Sequence, residues 1–540
     1  MAGQIKTRST IRVQPARPLF ALEIGALVLI LLLAAYLRLP NNAHNPGWYS
    51  DEGTHIDIAR HLAAGQVQYM AIGDSTLLFA RLPLFETILA AAFKAIGPGM
   101  QTLRTLTGLL GLISVATLYG IVRRIGGEAP LALLAAFFLA IYPQAVIYSR
   151  FGFSYNLLTP LVLLVFWSSW EYLQRSAPET GSARRWLALA ALAIGLGGVS
   201  DLWIFGLLAP LILVVLARRW QDLLWSLPLA VLPFGLYAGL ALLRTPEAFL
   251  FDLGFTLSRL GKLPLLDQLR TLALNYTTLA LQENWFGLAL VGTFLLRPAR
   301  LQRLTWLFLL LPIAVLGRNE ALYSLSFYYM IPLLPLVALG LAGLLREGTP
   351  HALRLLRASV EALVGSWTWL PEARRNRFLT GSAGLLLLLA LLSPFLTSML
   401  HSVDQVSSGF QTAIDPFLVK PQDAQPAAEF VNRRVSADDL VIASPGLGWI
   451  IQANVADFQM SSAFGRQATP HIPANLPRDR FVFAPDYDRA QFVIVDNLWH
   501  NWGRWNVAGV AEMLEQIETW PMVFRSGAIR VYCNAGRYTC

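Results

Sequence analysis

Hydrophobic blocks of roughly 15 to 22 residues, close to the length of a membrane-crossing helix, recur along this chain as far as Leu400 and then stop. A helix needs about 20 apolar residues to cross a ~30 Å hydrocarbon layer, and fewer when neighbouring helices shield it. The 540 residues are 55% hydrophobic and 14% charged, with a mean hydropathy of +0.51, outside the range of soluble globular proteins. The sequence therefore predicts a polytopic all-α transmembrane protein with a polar C-terminal segment.

Arginine clusters between the hydrophobic blocks predict the orientation, because the positive-inside rule places them and the N-terminus on the cytoplasmic side. The apolar segment Leu82–Ile96 would put every later cluster on the wrong side if it crossed, so we predict a helix at the outer interface. An odd number of spans then leaves the C-terminal segment outside. The eleven predicted spans are Phe20–Leu39, Leu103–Ile121, Leu131–Tyr148, Leu157–Leu173, Trp186–Val199, Trp203–Leu216, Leu223–Leu242, Trp285–Leu296, Leu304–Leu316, Phe327–Leu345 and Leu379–Leu400.

Three parts follow from this topology. Residues 1–19 are a cytoplasmic segment, residues 20–400 a transmembrane domain whose first outer loop spans 40–102, and residues 401–540 a small extracytoplasmic α/β domain. From position 401 the chain has 11 basic and 14 acidic residues, a net charge of −3. Since the whole chain has a net charge of +9, the first 400 residues have a net charge of +12. This excess belongs to cytoplasmic loops, which argues against a nucleic-acid partner.

The last domain contains Val- and Ile-rich stretches typical of strands, separated by helical patterns. It also holds both cysteines of the chain, Cys533 and Cys540, and either a disulfide or two free thiols fits the sequence. The predicted strands are Asp439–Ala443, Gln491–Asp496 and Ala528–Cys533, and the predicted helices are Ala427–Val435 and Val507–Glu518.

The first outer loop holds two adjacent acids, Asp51 and Glu52, about ten residues beyond the first span, and a third acid, Asp74, further on. Acids at a membrane edge are functional-site candidates by default. Apolar residues recur at helical spacing after Glu52, which predicts a short helix with both acids at its start, where the helix dipole favours negative charge. Capping this helix is the alternative role for these acids.

The segment 48–65, WYSDEGTHIDIARHLAAG, resembles the first extracytoplasmic loop of GT-C glycosyltransferases, in particular bacterial members related to protein mannosyltransferases and the lipid A aminoarabinose transferase. Further segments resemble the family in the same order, and together the matches span most of residues 20 to 400. They are Arg81-Leu-Pro83 with Gly97 and Leu103-Arg104-Thr105-Leu106, Ile141-Tyr-Pro143 with Tyr148-Ser-Arg150, and Phe327-Tyr-Tyr-Met-Ile-Pro332-Leu-Leu-Pro335.

The resemblance implies transfer of a sugar from a polyprenyl-phosphate donor to a glycan, lipid or protein acceptor on the outer face of the cell membrane. Asp51 matches the catalytic aspartate of the family, which would take the proton of the acceptor hydroxyl. Arg81, Arg150 and Arg318 are the candidates for binding the lipid phosphate. Many members have a basic residue immediately before the Tyr-x-x-Pro of the last motif, and its replacement by Tyr328 gives Arg318 more weight.

No cofactor is implied with certainty. Relatives differ over a divalent metal, and Asp51, Glu52 and Asp74 have the oxygen ligands that a hard cation prefers. Cys/His metal-binding spacing is absent from the sequence.

Two other functions stay open: a transporter or flippase of lipid-linked saccharide, and a non-catalytic cell-envelope assembly protein. A transporter usually has internal repeats, which this sequence lacks.

Overall fold

Apolar helices form most of the chain before residue 410. The computed structural model describes residues 17–74, 82–126, 128–175, 181–200, 209–258, 264–282, 284–316, 327–364, 372–410 and 417–540. Arg81 and Arg318, two of the predicted phosphate-binding residues, lie outside these ranges, as does part of the predicted span Trp203–Leu216.

The helices follow the hydrophobic blocks, and proline and glycine set several of their ends. The helix at 83–96 begins with Pro83 in the first turn, where a missing N–H costs nothing, and ends at Gly97 with a φ of 108°. The helices are α1 (Arg17–Arg38), α2 (Ser50–Ala63), α3 (Pro83–Ile96), α4 (Met100–Gly126), α5 (Ala129–Ile141), α6 (Pro143–Ser149), α7 (Tyr155–Gln174), α8 (Gly181–Gly198), α9 (Ala209–Leu216), α10 (Trp220–Arg244), α11 (Pro246–Ser258), α12 (Leu265–Gln282), α13 (Asn284–Thr293), α14 (Ala299–Leu316), a 3₁₀ helix (Phe327–Leu333), α15 (Leu334–Val364) and α16 (Glu372–Ser408).

Within the described residues, four helices are long and apolar enough to cross a membrane, namely Phe20–Arg38, Met100–Gly126, Trp220–Arg244 and Tyr329–Leu356. The pair α5 and α6 becomes a fifth if it is one span, bent by 57° at Pro143, whose ring cannot continue the hydrogen-bond ladder. The chain is therefore a multi-pass membrane protein. The total of eleven spans stays a prediction.

Small residues allow the helices to approach closely. A Cβ added to Gly292 on α13 would lie 1.9 Å from the carbonyl oxygen of Gly340 on α15. The same addition at Gly340 would lie 2.4 Å from the carbonyl oxygen of Ala289. Membrane helices associate largely by such backbone contact, because lipid tails are as apolar as the side chains and provide no hydrophobic drive.

A five-stranded mixed sheet organises residues 418–540. Its strands are β5 (Leu440–Ala443), β6 (Asn454–Ala456), β7 (Phe492–Val495), β8 (Met522–Ser526) and β9 (Ile529–Cys533). The strand order is β6-β5-β7-β9-β8, with β5 parallel to β6 and β7, and β9 antiparallel to β7 and β8. The helices of this part are α17 (Pro421–Asn432), α18 (Pro445–Gly448), α19 (Phe458–Phe464), a π-helix (Trp499–Gly503), α20 (Arg504–Asn506) and α21 (Val510–Ile517), with short 3₁₀ turns at Arg478–Arg480 and Tyr487–Arg489.

A buried polar residue directly follows each parallel strand: Ser444 after β5, Asp457 after β6 and Asp496 after β7. Ser444 Oγ donates to Asp496 Oδ2 across the point where the strand order reverses. Asp457 begins α19 and accepts from the N–H of Met460 at 2.8 Å. Burial raises the pKa of both carboxyl groups to about 6.

The sheet region is joined tightly to the first loop. Strand β1 (Trp48–Tyr49) pairs antiparallel with β4 (Leu418–Val419), and a two-stranded ribbon, β2 (Gln68–Tyr69) with β3 (Ile72–Gly73), follows α2. One hydrophobic core runs through both regions. The sequence left the state of the cysteines open, and the structure joins Cys533 to Cys540 by a disulfide.

Candidate active site

Asp51 is the second residue of α2, as the helical spacing predicts. The start of α2 is held from two sides. The N–H of Ser50 donates to the carbonyl of Phe417 at 2.9 Å, and Gly53 lies so close to α18 that an added Cβ would be 1.8 Å from the carbonyl oxygen of Pro445. Asp51 itself is partly exposed, whereas Ser50 and Glu52 on either side are buried. The fold therefore leaves Asp51 partly exposed and buries Glu52.

Glu52 is completely buried and every polar atom of its side chain is used. Its Oε1 accepts from Arg104 Nε at 2.6 Å and from the N–H of Gly152 at 2.6 Å. Its Oε2 accepts from Arg104 Nη2 at 2.5 Å and from the N–H of Tyr49 at 2.8 Å. This arrangement makes Glu52 a buried counter-ion of Arg104, and its role as a second acid or metal ligand stays a prediction.

Arg104, a residue of the motif Leu103-Arg104-Thr105-Leu106, joins α4 to α2 and to the loop between α1 and β1. Besides the pair with Glu52, its Nη1 donates to the carbonyls of Asn42 and Pro46, each at 2.7 Å, and its Nη2 to that of Gly47 at 2.7 Å. The side chain is fully buried. A planar guanidinium with five N–H groups can bind a carboxylate and three carbonyls simultaneously, which a lysine cannot do.

Arg150 also binds the backbone around the first loop. It is fully buried, and it donates to the carbonyl oxygens of Asn45 at 3.0 Å, Leu37 at 3.0 Å and Pro40 at 2.8 Å. Its role in binding lipid phosphate stays a prediction, and in this structure its guanidinium donates to the backbone of α1 and of the loop that follows α1. Its position at the end of α6, against the positive-inside tendency, has this structural reason.

Aromatic rings line the start of α2. We define the aromatic cluster as Tyr49, Tyr148, Phe151, Phe153 and Phe417. The Tyr49 ring centroid lies 5.1 Å from that of Phe153 and stacks on Phe417 at 5.8 Å, and Phe151 lies under the Arg104 guanidinium at 5.4 Å. Gly152 between the two phenylalanines allows this segment to reach Glu52, because a Cβ there would lie 2.3 Å from the side chain of Leu103. Tyr49, a member of this apolar, aromatic cluster, is two residues before Asp51 in the chain.

Asp74 lies in a separate ion-pair group. Its Oδ2 is 3.0 Å from Arg480 Nη1 and its Oδ1 is 3.7 Å from Arg244 Nη1. Among the described residues, no group of three His, Cys, Asp or Glu side chains is placed to hold a metal ion. Asp51, Glu52 and Asp74, whose convergence the sequence leaves open, therefore do not form such a group.

Three further acids are paired with basic or backbone groups, two of them at α2. Asp57 accepts from the N–H of Met70 at 2.6 Å, and although burial alone would raise its pKa, His61, Arg60 and this N–H hold the pKa below its usual value. His55 on α2 contacts Glu86 on α3 at 2.8 Å, with both side chains buried. Asp252 on α11 is buried and contacts the partly exposed His471 at 2.8 Å. Sequence separation hides these pairs, since each joins distant segments.

Comparisons with known proteins agree with this architecture. Residues 81–245 match the model of the family described as dolichyl-phosphate-mannose-protein mannosyltransferase. The structure is similar to ArnT from Cupriavidus metallidurans in the apo state, with a TM-score of 0.61 and 15% identity over 97% of this chain and 99% of that chain. ArnT bound to undecaprenyl phosphate gives a TM-score of 0.60 at 14% identity over the same shares of both chains.

The oligosaccharyltransferase of Archaeoglobus fulgidus, tethered to an acceptor peptide, gives a TM-score of 0.50 at 12% identity over 91% of this chain and 72% of that chain. No curated protein sequence matches the chain. At these identities the structural likeness establishes the fold. The chain has the fold of the GT-C integral-membrane glycosyltransferases, which confirms the resemblance inferred from its motifs.

Proposed function

We propose that the chain is a membrane glycosyltransferase that moves a sugar from a polyprenyl-phosphate donor to an acceptor hydroxyl. The GT-C fold and the match of residues 81–245 support this reaction class. The observation that carries the proposal is the position of Asp51, a partly exposed acid on a helix start that Arg104, Glu52 and Pro445 hold in place. A base must be held close to the correct geometry to act in the transition state.

In this reaction the acceptor oxygen attacks the anomeric carbon as Asp51 takes the hydroxyl proton. A new carbon–oxygen bond forms, the bond between the anomeric carbon and the phosphate oxygen breaks, and the polyprenyl phosphate leaves with the electron pair. The leaving phosphate requires cationic donors. Because Arg150 and Arg104 are used internally, Arg81 and Arg318 are the arginines that we propose for this role.

The membrane topology is also part of the proposal. Residues 1–19 lie in the cytoplasm, eleven helices cross the cell membrane within residues 20–400, and residues 401–540 form an extracytoplasmic α/β domain. The Cys533–Cys540 disulfide supports this orientation, because disulfides persist outside the cytoplasm. A periplasm-active reporter fused after Val403 is expected to be active. A silent reporter would mean an even number of spans and would overturn this topology.

Sugar transfer in detergent from a synthetic polyprenyl-phosphate sugar tests the activity. Asp51→Asn removes the base and is expected to lower turnover by about 10²–10⁴-fold, while the melting temperature stays the same. Asp479→Asn changes an exposed aspartate in the sheet region and serves as the control. Full turnover in Asp51→Asn would remove Asp51 from the reaction.

A further inference from the structure

A groove of about 470 Å³ lies beside α2, between the start of α4 and helix α17. Trp449, the residue after α18, forms one wall, and Trp48 lies behind it with ring centroids 5.0 Å apart and planes at 69°. Trp449 Nε1 donates to the carbonyl of Gly446 at 3.2 Å, which fixes the indole in the groove wall. The groove therefore contains a rigid, partly exposed aromatic face.

Polar side chains from separate elements surround this indole. Gln101 comes from α4, His44 from the loop before β1, and Gln425 and Glu429 from α17. Gln425 and Glu429 are four residues apart on one helix and so point to the same side. All four residues are exposed. Amide and carboxylate groups supply both donors and acceptors around the aromatic face.

The charge of the groove argues against a bound phosphate group. Among the described residues that line it, Glu429 supplies the one carboxylate, and none is a lysine or an arginine. Phosphate binding in proteins uses lysine, arginine or clustered N–H groups, so this groove does not suit the phosphate of a lipid donor. A sugar ring fits the lining, because its C–H faces pack on an indole while its hydroxyls bond to amides and carboxylates.

The groove adjoins the candidate active site. Trp48 is three residues before Asp51, and α18, which leads into Trp449, packs on α2 at Gly53. We propose that this groove binds a saccharide unit of the acceptor, so that the acceptor is a glycan-bearing molecule. The proposal rests on the glycosyltransferase function proposed above and narrows its acceptor class. The bound unit would hold the acceptor next to the base without taking part in the reaction.

Binding of simple sugars tests this site without any turnover. The protein is placed in sugar-free lipid nanodiscs, and saturation-transfer NMR is recorded with the methyl glycosides of glucose, galactose, mannose and N-acetylglucosamine. At least one of these probes is expected to bind. The double variant Gln425→Ala/Glu429→Gln, which changes only exposed side chains, is expected to weaken that binding at least tenfold.

The matched control is Gln422→Ala/Glu512→Gln. It changes the same residue types at exposed positions outside the groove, one of them on the same helix, and should bind the probe like the unmodified protein. Trp449→Ala is a second groove variant with the same expected loss. Absence of binding by all four probes, or equal binding by the double groove variant, would overturn the proposal.

Two further measurements separate this site from the reaction. Asp51→Asn should keep probe binding while it loses turnover, so failure of the enzymatic proposal would be visible independently of failure of the groove. Binding of undecaprenyl phosphate, followed by native mass spectrometry, should be unchanged in the double groove variant. Loss of that lipid in the variant would mean that the groove takes the donor, which would overturn the assignment to the acceptor.

Discussion

Arg104 and Glu52 form a fully buried bidentate ion pair, with Nε–Oε1 and Nη2–Oε2 distances of 2.6 and 2.5 Å. The pair joins α4 to α2 immediately after Asp51. Removing one partner of such a pair leaves an uncompensated buried charge, which costs about 3–5 kcal/mol. The geometry at Asp51 therefore depends on an arginine 52 residues away in the sequence.

We expect Glu52→Gln and Arg104→Gln each to lower the unfolding free energy by about 3–5 kcal/mol, because each variant leaves the other partner as an uncompensated buried charge. Thermal unfolding in detergent measures the effect, with the exposed Glu512→Gln as control, expected to stay within about 0.5 kcal/mol of the unmodified protein. A Glu52→Gln protein with unchanged melting temperature and no turnover would instead give Glu52 a chemical role.

Arg150→Ala should also destabilise the protein, because the buried carbonyls of Leu37 and Asn45 lose their donor. Each buried carbonyl left unpaired costs about 1–3 kcal/mol. Undecaprenyl phosphate binding per folded molecule, measured by native mass spectrometry, should stay the same. By contrast, Arg81→Ala should weaken that binding without lowering the melting temperature. Loss of lipid binding in a stable Arg150→Ala protein would restore the sequence-based role of Arg150.

The positions of the helices can be predicted from the sequence more readily than the roles of the buried charges. Hydrophobic blocks locate helices, since helix α3 (Pro83–Ile96) and the predicted Leu82–Ile96 differ by one residue at their start. The helical spacing after Glu52 likewise predicts α2. The bend at Pro143 was missed, because the block Leu131–Tyr148 is continuously apolar and a proline in a membrane helix does not always end it.

The roles of the buried charges could not be read in the same way. An arginine at the outer end of a span, such as Arg150, resembles a ligand-binding residue because the carbonyls that satisfy it come from a loop more than 100 residues earlier. The sequence separates Asp51 from Glu52 only by resemblance, and the burial of Glu52 depends on its contacts with Arg104 and with the N–H groups of Tyr49 and Gly152. A motif match finds such residues without separating the structural ones from the reactive ones.

The contact between α2 and α18 gives another prediction. Gly53→Ala would place a methyl group against the carbonyl oxygen of Pro445, so the two elements must separate. Overpacking of this kind costs about 1–3 kcal/mol, and we expect a matching drop in stability together with lower turnover, because Asp51 lies two residues away. Gly120→Ala on α4 is the matched control, since no atom lies within 4 Å of its added Cβ. Equal melting temperatures for the two variants would contradict this contact.

The two buried acids at the edge of the sheet predict a pH dependence. Burial raises the pKa of Asp457 and Asp496 from 3.8 to about 6, opposed in part by the hydrogen bonds that each accepts. The folded protein therefore keeps protons that the unfolded chain loses between about pH 4 and pH 6. The contribution of each group to stability falls as the pH rises through this window and is constant above it. The change for one group is on the order of 3 kcal/mol.

Asp496→Asn removes this titration and keeps an oxygen that accepts from Ser444. Its unfolding free energy relative to the unmodified protein should therefore rise between pH 4 and pH 7 by an amount on the order of 3 kcal/mol. Asp479→Asn, an exposed change in the same part of the chain, should give a difference that does not vary with pH. Denaturant unfolding of both variants at several pH values measures the two curves. A flat curve for Asp496→Asn would mean that Asp496 is ionised in the folded protein throughout this range, and that the hydrogen bonds from Ser444 and Leu498 outweigh the cost of its burial.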